Sequence, residues 1–219
     1  MLRWLAPGDP PEAFPPVGQA LRDPPGLLAA GGDLSVERLI AAYRRGIFPW
    51  YSPGQPVLWW SPDPREVLFP AEFHRSRSLA RALRTRGFEY HVDRDFEAVI
   101  AGCAAPRQAS PGTWITPEMR SAYVELHRRG HAHSAECWRG GRLVGGVYGV
   151  RLGRVFFAES MFSLEKDASK AALDGLVRAC LTDGTGLIDC QFPSAHLRSL
   201  GTRALSRAEF LTHLGPGAA

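Results

Sequence analysis

AHSAECWRGGRLVGGVYGVRLGRVFFAES, residues 132–160, reads as three extended runs, about 132–138, 143–150 and 154–160. Arg139-Gly140-Gly141-Arg142 and Arg151-Leu152-Gly153 separate them and supply the glycines that hairpin turns need. An amphipathic helix follows over about 166–182, and Leu187-Ile188-Asp189-Cys190-Gln191 then reads as a short buried strand. The order is β-β-β-α-β, with helices before it. A helical crossover joins parallel strands and a tight turn joins antiparallel ones, so the sheet is predicted to be mostly antiparallel with one parallel neighbour. The fold class is α+β.

Working outward, Ser35 is a predicted N-cap, and Leu39, Ile40 and Tyr43 form an apolar stripe that Gly46 ends, giving a helix over about 36–45. Residues 5–32, rich in Pro and Gly, are expected to wrap over a surface without regular elements. Bulky aromatics set between turn formers occupy 46–65. That change of texture predicts a small N-terminal α/β domain over 1–62, with 63–219 forming a second domain. From Ser76 to Arg86 a helix carries Arg77, Arg81 and Arg84 at i, i+4 and i+7, on one face. A strand is predicted over 88–92, and Phe96, Val99, Ile100 and Cys103 mark the next helix. Thr116-Pro117 opens another, which Gly130 stops. The last begins at Ser206 with a capping box to Glu209, and residues 215–219 are expected to fray.

A chain of 219 residues with 45% hydrophobic content can bury a full core. It shows no window near the roughly 18 apolar residues of a membrane span, and its first ten residues lack an apolar signal core. A cytoplasmic protein without membrane contact is expected. Net charge of +4 permits an acidic partner. Of 26 basic residues only Lys166 and Lys170 are lysines, so arginine is a compositional habit of this chain and carries little signal by itself. Cys103, Cys137, Cys180 and Cys190 have no CxxC spacing and are expected as reduced thiols with no structural metal. His131 and His133 share a strand face with Cys137 while Glu136 faces away, which falls short of a four-ligand zinc set.

Asp189 and Gln191, two residues apart on a strand, are expected to point the same way. An acid in so apolar a run must find a hydrogen-bond partner, and a neighbouring carboxamide is one that can also hold a substrate. Two readings stand: a catalytic pair, or a satisfied core aspartate that braces the next loop.

The element order is similar to that of acyl-CoA N-acyltransferases, whose GNAT-type fold binds pyrophosphate on a Gly-rich loop between the third strand and the helix. Here Ser160-Met161-Phe162-Ser163-Leu164-Glu165 offers no such loop. The fold is expected to be shared and coenzyme A not. More specific are GLLAAGGDLS (26–35), GIFPWYSPG (46–54), LWWSPDPR (58–65), GTWIT (112–116), GHAHSAECW (130–138), GGVYGV (145–150), AESMFS (158–163), ASKAAL (168–173) and GLIDCQ (186–191). In this order they resemble the leucyl/phenylalanyl-tRNA–protein transferase family, from about Phe14 to Leu214.

The resemblance implies a bacterial cytoplasmic aminoacyltransferase that moves Leu or Phe, and less well Met, from aminoacyl-tRNA to proteins beginning with Arg or Lys, marking them for N-degron proteolysis. It implies a monomer and no cofactor. It makes Asp189 and Gln191 the catalytic residues, with Asp189 polarising a Gln191 carboxamide whose carbonyl orients the attacking amine; a direct proton relay through the pair, or through the hydroxyls of the tRNA ribose, is the alternative. An ordinary aspartate is too acidic to take a proton from an ammonium group, and an α-amine is already partly neutral near pH 7, so positioning is expected to dominate. Trp50 and Trp114 match an aromatic platform for the terminal adenosine, whereas Trp59 and Trp60 read as core. Phe156, Met161, Leu173 and Ile188 match the pocket for the transferred side chain. Val147 and Leu176 stand where better-known members are expected to carry a methionine and a phenylalanine, which predicts a wider pocket. Tyr43 and Tyr123 join the substrate-binding set. Glu159 and Asp189, with Glu136 third, are the acids nominated to meet the acceptor's cationic side chain. Arg77, Arg81 and Arg84 are nominated to track tRNA phosphates. The rivals are a GNAT-type N-acetyltransferase and a non-catalytic RNA-binding protein.

Overall fold

The computed structural model describes residues 2–105 and 113–215. Four short strands make the smaller sheet: β1 (Arg3–Leu5), β2 (Leu27–Gly31), β3 (Phe48–Pro49) and β4 (Leu58–Trp60), in spatial order β1-β2-β4-β3. The helix α1 (Val36–Arg44) joins β2 to β3 and opens on Ser35, whose side chain accepts the Arg38 N–H. β2 corrects the expectation of an irregular 5–32, because Leu-Leu-Ala-Ala-Gly is buried along its whole length. Glycine and proline around it dominate the local composition, but five small or apolar residues suffice for a strand covered on both faces.

The larger sheet has seven strands: β5 (Arg65–Leu68), β6 (Glu89–Val92), β7 (Ala132–Arg139), β8 (Arg142–Leu152), β9 (Val155–Ser163), β10 (Leu187–Asp189) and β11 (Arg203–Leu205). Their order is β11-β5-β10-β9-β8-β7-β6, and only β9 and β10 pair in parallel. The predicted meander is present, with Gly140 and Gly141 both at positive φ in the first turn. The predicted helices form as α2 (Arg77–Thr85), α3 (Phe96–Ala104), α4 (Pro117–Arg128) and α5 (Ala168–Asp183), followed by the four-residue α6 (Ala195–Arg198) and by α7 (Arg207–Thr212). Ser76, Asp95, Thr116 and Ser206 cap their helices through side-chain oxygens, and Ser206 with Glu209 completes the predicted capping box. The frayed tail expected after Gly215 and the first residue of GTWIT lie outside the described residues.

Two buried clusters result. One joins the smaller sheet to α3, α4 and one part of the larger sheet through Leu39, Tyr43, Trp59, Tyr123 and Phe157. The other lies under α5, around Val147, Phe156, Leu173, Leu176 and Ile188. Trp59 and Trp60 are buried, as their apolar run predicts. No helix among the described residues is long and apolar enough to cross a membrane.

Two departures from regular sheet geometry set up everything that follows. β10 ends at Asp189, opposite Phe157, while β9 continues to Ser163, so the last residues of β9 lose their parallel neighbour and the sheet splays open. On its other side β9 carries a bulge: Tyr148 pairs with Ser160 and Gly149 with Ala158, leaving Glu159 unpaired between them. Gly149 permits the tight approach, since a Cβ there would stand 2.0 Å from the Phe157 carbonyl oxygen.

Candidate active site

Where β9 and β10 part, two cavities meet. The first, about 230 Å³, is lined by Leu68, Val147, Ala158, Met161, Leu173 and Leu200, with the exposed turn of α6 supplying His196 and Leu197 at its rim. The second, about 240 Å³, lies between Phe48, Pro49, Trp50, Trp114 and Phe192. Glu159 and Gln191 line both. The first is apolar and the second aromatic, so a ligand spanning them would set its polar linkage beside a carboxyl and a carboxamide.

Asp189 does not face that junction in the expected way. Its carboxylate is fully buried and accepts a bidentate pair from Arg65, Nε to Oδ1 at 2.8 Å and Nη2 to Oδ2 at 2.6 Å. The remaining guanidinium nitrogen, Nη1, donates to the Gly46 carbonyl at 3.0 Å, and the planar group lies between the rings of Phe48 and Phe210 at 4.7 and 4.6 Å. Arg65 is itself 1% exposed. Such a planar fork matches a carboxylate and two ring faces at once, which a lysine could not do.

The strand pattern that placed Asp189 and Gln191 on one face stops too early for it to hold. Gln191 has φ +57, a left-handed conformation, and its backbone N–H donates to Asp189 Oδ1 at 3.0 Å. The carboxylate therefore braces the turn that carries Gln191 and does not touch its carboxamide. Glu66 on β5 holds the same turn from outside, giving its N–H to the Gln191 carbonyl at 3.2 Å and accepting the Cys190 N–H at 2.9 Å. The Gln191 side chain is left with a buried Nε2 that has no partner. Nothing in the spacing showed Arg65 as the third member. Its one legible signal was an arginine opening a short strand, Arg65-Glu66-Val67-Leu68, in a chain where arginine is common.

Glu159, half-buried on its bulge, receives the Tyr43 hydroxyl on Oε1 at 2.7 Å and the Tyr123 hydroxyl on Oε2 at 3.1 Å. The two hydroxyl oxygens are 2.5 Å apart. Burial raises the Glu159 carboxyl from the ordinary 4.5 to about 8, against the opposing hydrogen bonds of the two tyrosines. Burial also lifts both phenols well above their usual range.

The other nominated residues divide. Val147, Met161 and Leu173 line the apolar cavity, and Trp50 and Trp114 line the aromatic one. Phe156 and Ile188 face each other where β9 and β10 are still paired, so they form the packed layer behind the cavity. Leu176 lies one helical turn beyond Leu173 and, with Phe156, borders a separate space of about 70 Å³ next to Tyr90 and Cys180. Of Val147 and Leu176, the first lines the main pocket and the second does not. Glu136 is fully buried elsewhere and accepts from the Asp95 N–H, the Ser134 hydroxyl and the Trp138 indole at 2.7 to 2.9 Å. Of the three acids nominated for an acceptor cation, Asp189 is neutralised by Arg65 and Glu136 lies away from both cavities, whereas Glu159 lines them. Arg77, Arg81 and Arg84 are exposed along α2 and join no ion pair among the described residues, while Arg75 and Arg86 beside them bond Asp174 and Asp167. His133 is bound to Asp93 at 2.7 Å, and no cluster of three or more metal-ligating side chains occurs among the described residues.

At the start of α5, where a pyrophosphate loop would lie, the first two backbone donors are taken. Ala168 N–H reaches the Glu165 carbonyl at 3.1 Å and Ser169 N–H reaches Ser163 Oγ at 3.0 Å. The N-cap residue is the acidic Asp167.

Known proteins add the following. A family model described as leucyl/phenylalanyl-tRNA protein transferase matches residues 67–215, and one for the N-terminal domain of the same proteins matches 32–63. The leucyl/phenylalanyl-tRNA–protein transferase of Pseudomonas entomophila (strain L48) is 60% identical over 214 residues, 98% of this chain and 94% of that protein. Its counterpart in Pseudomonas aeruginosa (strain LESB58) is 59% identical over the same shares. Among solved structures, FemX superposes with a TM-score of 0.51 at 10% identity, covering 78% of this chain and 66% of that one, a likeness of fold of the α+β GNAT type.

Proposed function

The chain belongs to the leucyl/phenylalanyl-tRNA protein transferase family and is an aminoacyltransferase, and from that premise we propose the substrates and the place of each in the site. Aminoacyl-tRNA and a protein acceptor are its partners. The transferred residue is Leu or Phe, and the acceptor begins with Arg or Lys. One observation carries the assignment: an apolar cavity and an aromatic cleft share Glu159 and Gln191. A Leu or Phe side chain fits the first, an adenine ring stacks between Trp50 and Trp114 in the second, and the ester linking them falls at the shared wall. Gln191 is placed by Asp189 and Arg65 to meet that ester.

Two sources of acyl group are separated in one assay. The protein is incubated with labelled Phe-tRNA or labelled acetyl-CoA and a peptide beginning with Arg. Label from Phe-tRNA is expected on the peptide. Label from acetyl-CoA would instead support the acetyltransferase reading, which the occupied donors at the start of α5 disfavour. Label from neither would leave an RNA-binding protein.

The three unpaired arginines of α2 give a measurable consequence. Changing Arg77 and Arg81 together to Ala should weaken full-length tRNA but not short 3′-end mimics. It should also flatten the slope of log K against log salt by about 1–2, because each neutralised phosphate contributes about 0.7–0.9. An unchanged slope would make this helix a solvated face.

The pocket gives another. Val147→Met should fill space beside a bound Leu and lower the preference for Phe over Leu by about tenfold in kcat/KM, the scale of one or two methylenes in an apolar pocket. Leu176→Phe, which the sequence alone would have made equivalent, should leave that ratio unchanged because Leu176 borders a different space. Transfer rates for the two charged tRNAs side by side decide it; a ratio moved by Leu176→Phe and not by Val147→Met would place the side chain elsewhere.

A further inference from the structure

The cluster at the shared wall contains more hydrogen-bonded contacts than an ionised carboxylate can supply with protons. Glu159, Tyr43 and Tyr123 meet in three pairwise contacts, at 2.7, 3.1 and 2.5 Å. With the carboxylate ionised, both hydroxyl protons go to it and none remains between two phenol oxygens at 2.5 Å. A third proton on the carboxyl closes a ring in which each group donates once and accepts once. The surroundings agree. Tyr43 and Tyr123 are fully buried, and neither can release its own proton easily. The other groups that bear on the carboxyl are Asp189, whose charge disfavours a second anion, and Arg65, whose charge favours it but is already spent on Asp189 in a bidentate pair. Tyr148, edge-on to Tyr123 with centroids 5.5 Å apart, adds a buried hydroxyl with no partner.

We propose that Glu159 holds a proton at rest in this ring and exchanges it during transfer, giving it to the ribose oxygen of the aminoacyl ester and taking one from the attacking amine. The inference rests on the aminoacyl-transfer reading. The amine nitrogen bonds to the ester carbonyl carbon and the bond from that carbon to the ribose oxygen breaks. The oxygen leaves with the Glu159 proton, the nitrogen loses one to the carboxylate so formed, and the ring ends as it began. A bulge that turns a carboxyl into both cavities suits such a group, because the incoming nitrogen and the leaving oxygen are both attached to one carbon once the amine has added, within reach of a single carboxyl. A carboxyl that titrates near 8 can give and take a proton at neutral pH with little penalty in either direction. The proposal replaces the reading of Glu159 as counter-ion to the acceptor.

Glu159→Gln is the test, since a carboxamide offers one donor and one acceptor to the tyrosines, as a neutral carboxyl does, but cannot release the proton. The variant is expected to fold, to keep the wild-type KM for aminoacyl-tRNA and for an Arg-initiated peptide, and to lose about 100-fold or more in kcat. The wild type should show the infrared carbonyl band of a neutral carboxylic acid at pH 7, and Glu159→Gln should lack it. Linkage fixes the sign of the thermal comparison. The folded carboxyl stays protonated up to about 8 while the unfolded one ionises near 4.5, so wild-type Tm should fall relative to the variant across that interval and stay parallel outside it. A raised acceptor KM with kcat intact would restore the counter-ion, and an unchanged kcat would leave a structural ring; either overturns the proposal, as does a missing band. Tyr43→Phe opens the ring without touching the carboxyl and should also depress kcat, which keeps the question answerable if Glu159→Gln does not fold. A wild type that transfers nothing from aminoacyl-tRNA would sink the transfer reading itself; an active wild type matched by Glu159→Gln sinks only the proton exchange.

Discussion

Asp189→Asn should unfold at markedly lower denaturant, with a stability loss of about 3–5 kcal/mol, the range for stranding one member of a buried ion pair. Asparagine has nearly the same shape, so the sequence alone would predict a clean loss of kcat. The structure predicts otherwise, because Asp189 is 0% and Arg65 1% exposed and the guanidinium would keep its charge with only the Gly46 carbonyl and two ring faces for company. Replacing both partners by apolar groups, Asp189→Leu with Arg65→Met, should recover most of the loss, since a buried ion pair replaced whole in this way is often neutral or better. Transfer should stay impaired in that double variant, because leucine offers no acceptor to the Gln191 N–H. Denaturant midpoints at unchanged m report the first effect, and single-turnover transfer reports the second. An Asp189→Asn protein as stable as wild type but slow would return the charge to the reaction itself.

Trp50→Ala and Trp114→Ala should each weaken capture of the aminoacyl-tRNA end by about 5- to 150-fold, the equivalent of about 1–3 kcal/mol for one stacking partner. The loss should be the same for a short aminoacylated 3′-end mimic, because the contact is local. Trp50 is 41% exposed and rests against Trp60 and Phe192 at centroid distances of 5.5 and 5.4 Å, so its removal should cost little stability. Titrating wild type and variants with the mimic checks this. A loss confined to full-length tRNA would mean that these rings meet some other part of the molecule.

Much of the frame was legible because local chemistry decided it. Ser35, Thr116 and Ser206 cap the helices they were expected to cap, and Gly140-Gly141 turns the hairpin. The small sheet was not legible: β2 is five apolar or small residues hidden among prolines and glycines, and pairs that order it lie far along the chain. The site failed in a more instructive way. The alternation that makes a strand readable was extended through Cys190 and Gln191, but a left-handed residue ends it, and no pattern of apolar residues announces a φ of +57. Tyr43 read as part of a helical stripe, which it is; its hydroxyl meets Tyr123 and Glu159 only because α1, α4 and the β9 bulge converge. Residue types singled out Glu159, and geometry alone gave it its neighbours.

The Arg65–Asp189 pair also bears on how the protein comes into being. Its partners are 124 positions apart, and its ring neighbours, Phe48 and Phe210, are farther apart still. On the ribosome, Arg65 emerges long before any carboxylate that can meet it, and until then a guanidinium destined for burial must stay in water with β5 unable to dock. Closing so long a loop is slow relative to forming the meander. The contact that seats Arg65 also sets the turn of Gln191, because one carboxylate holds both.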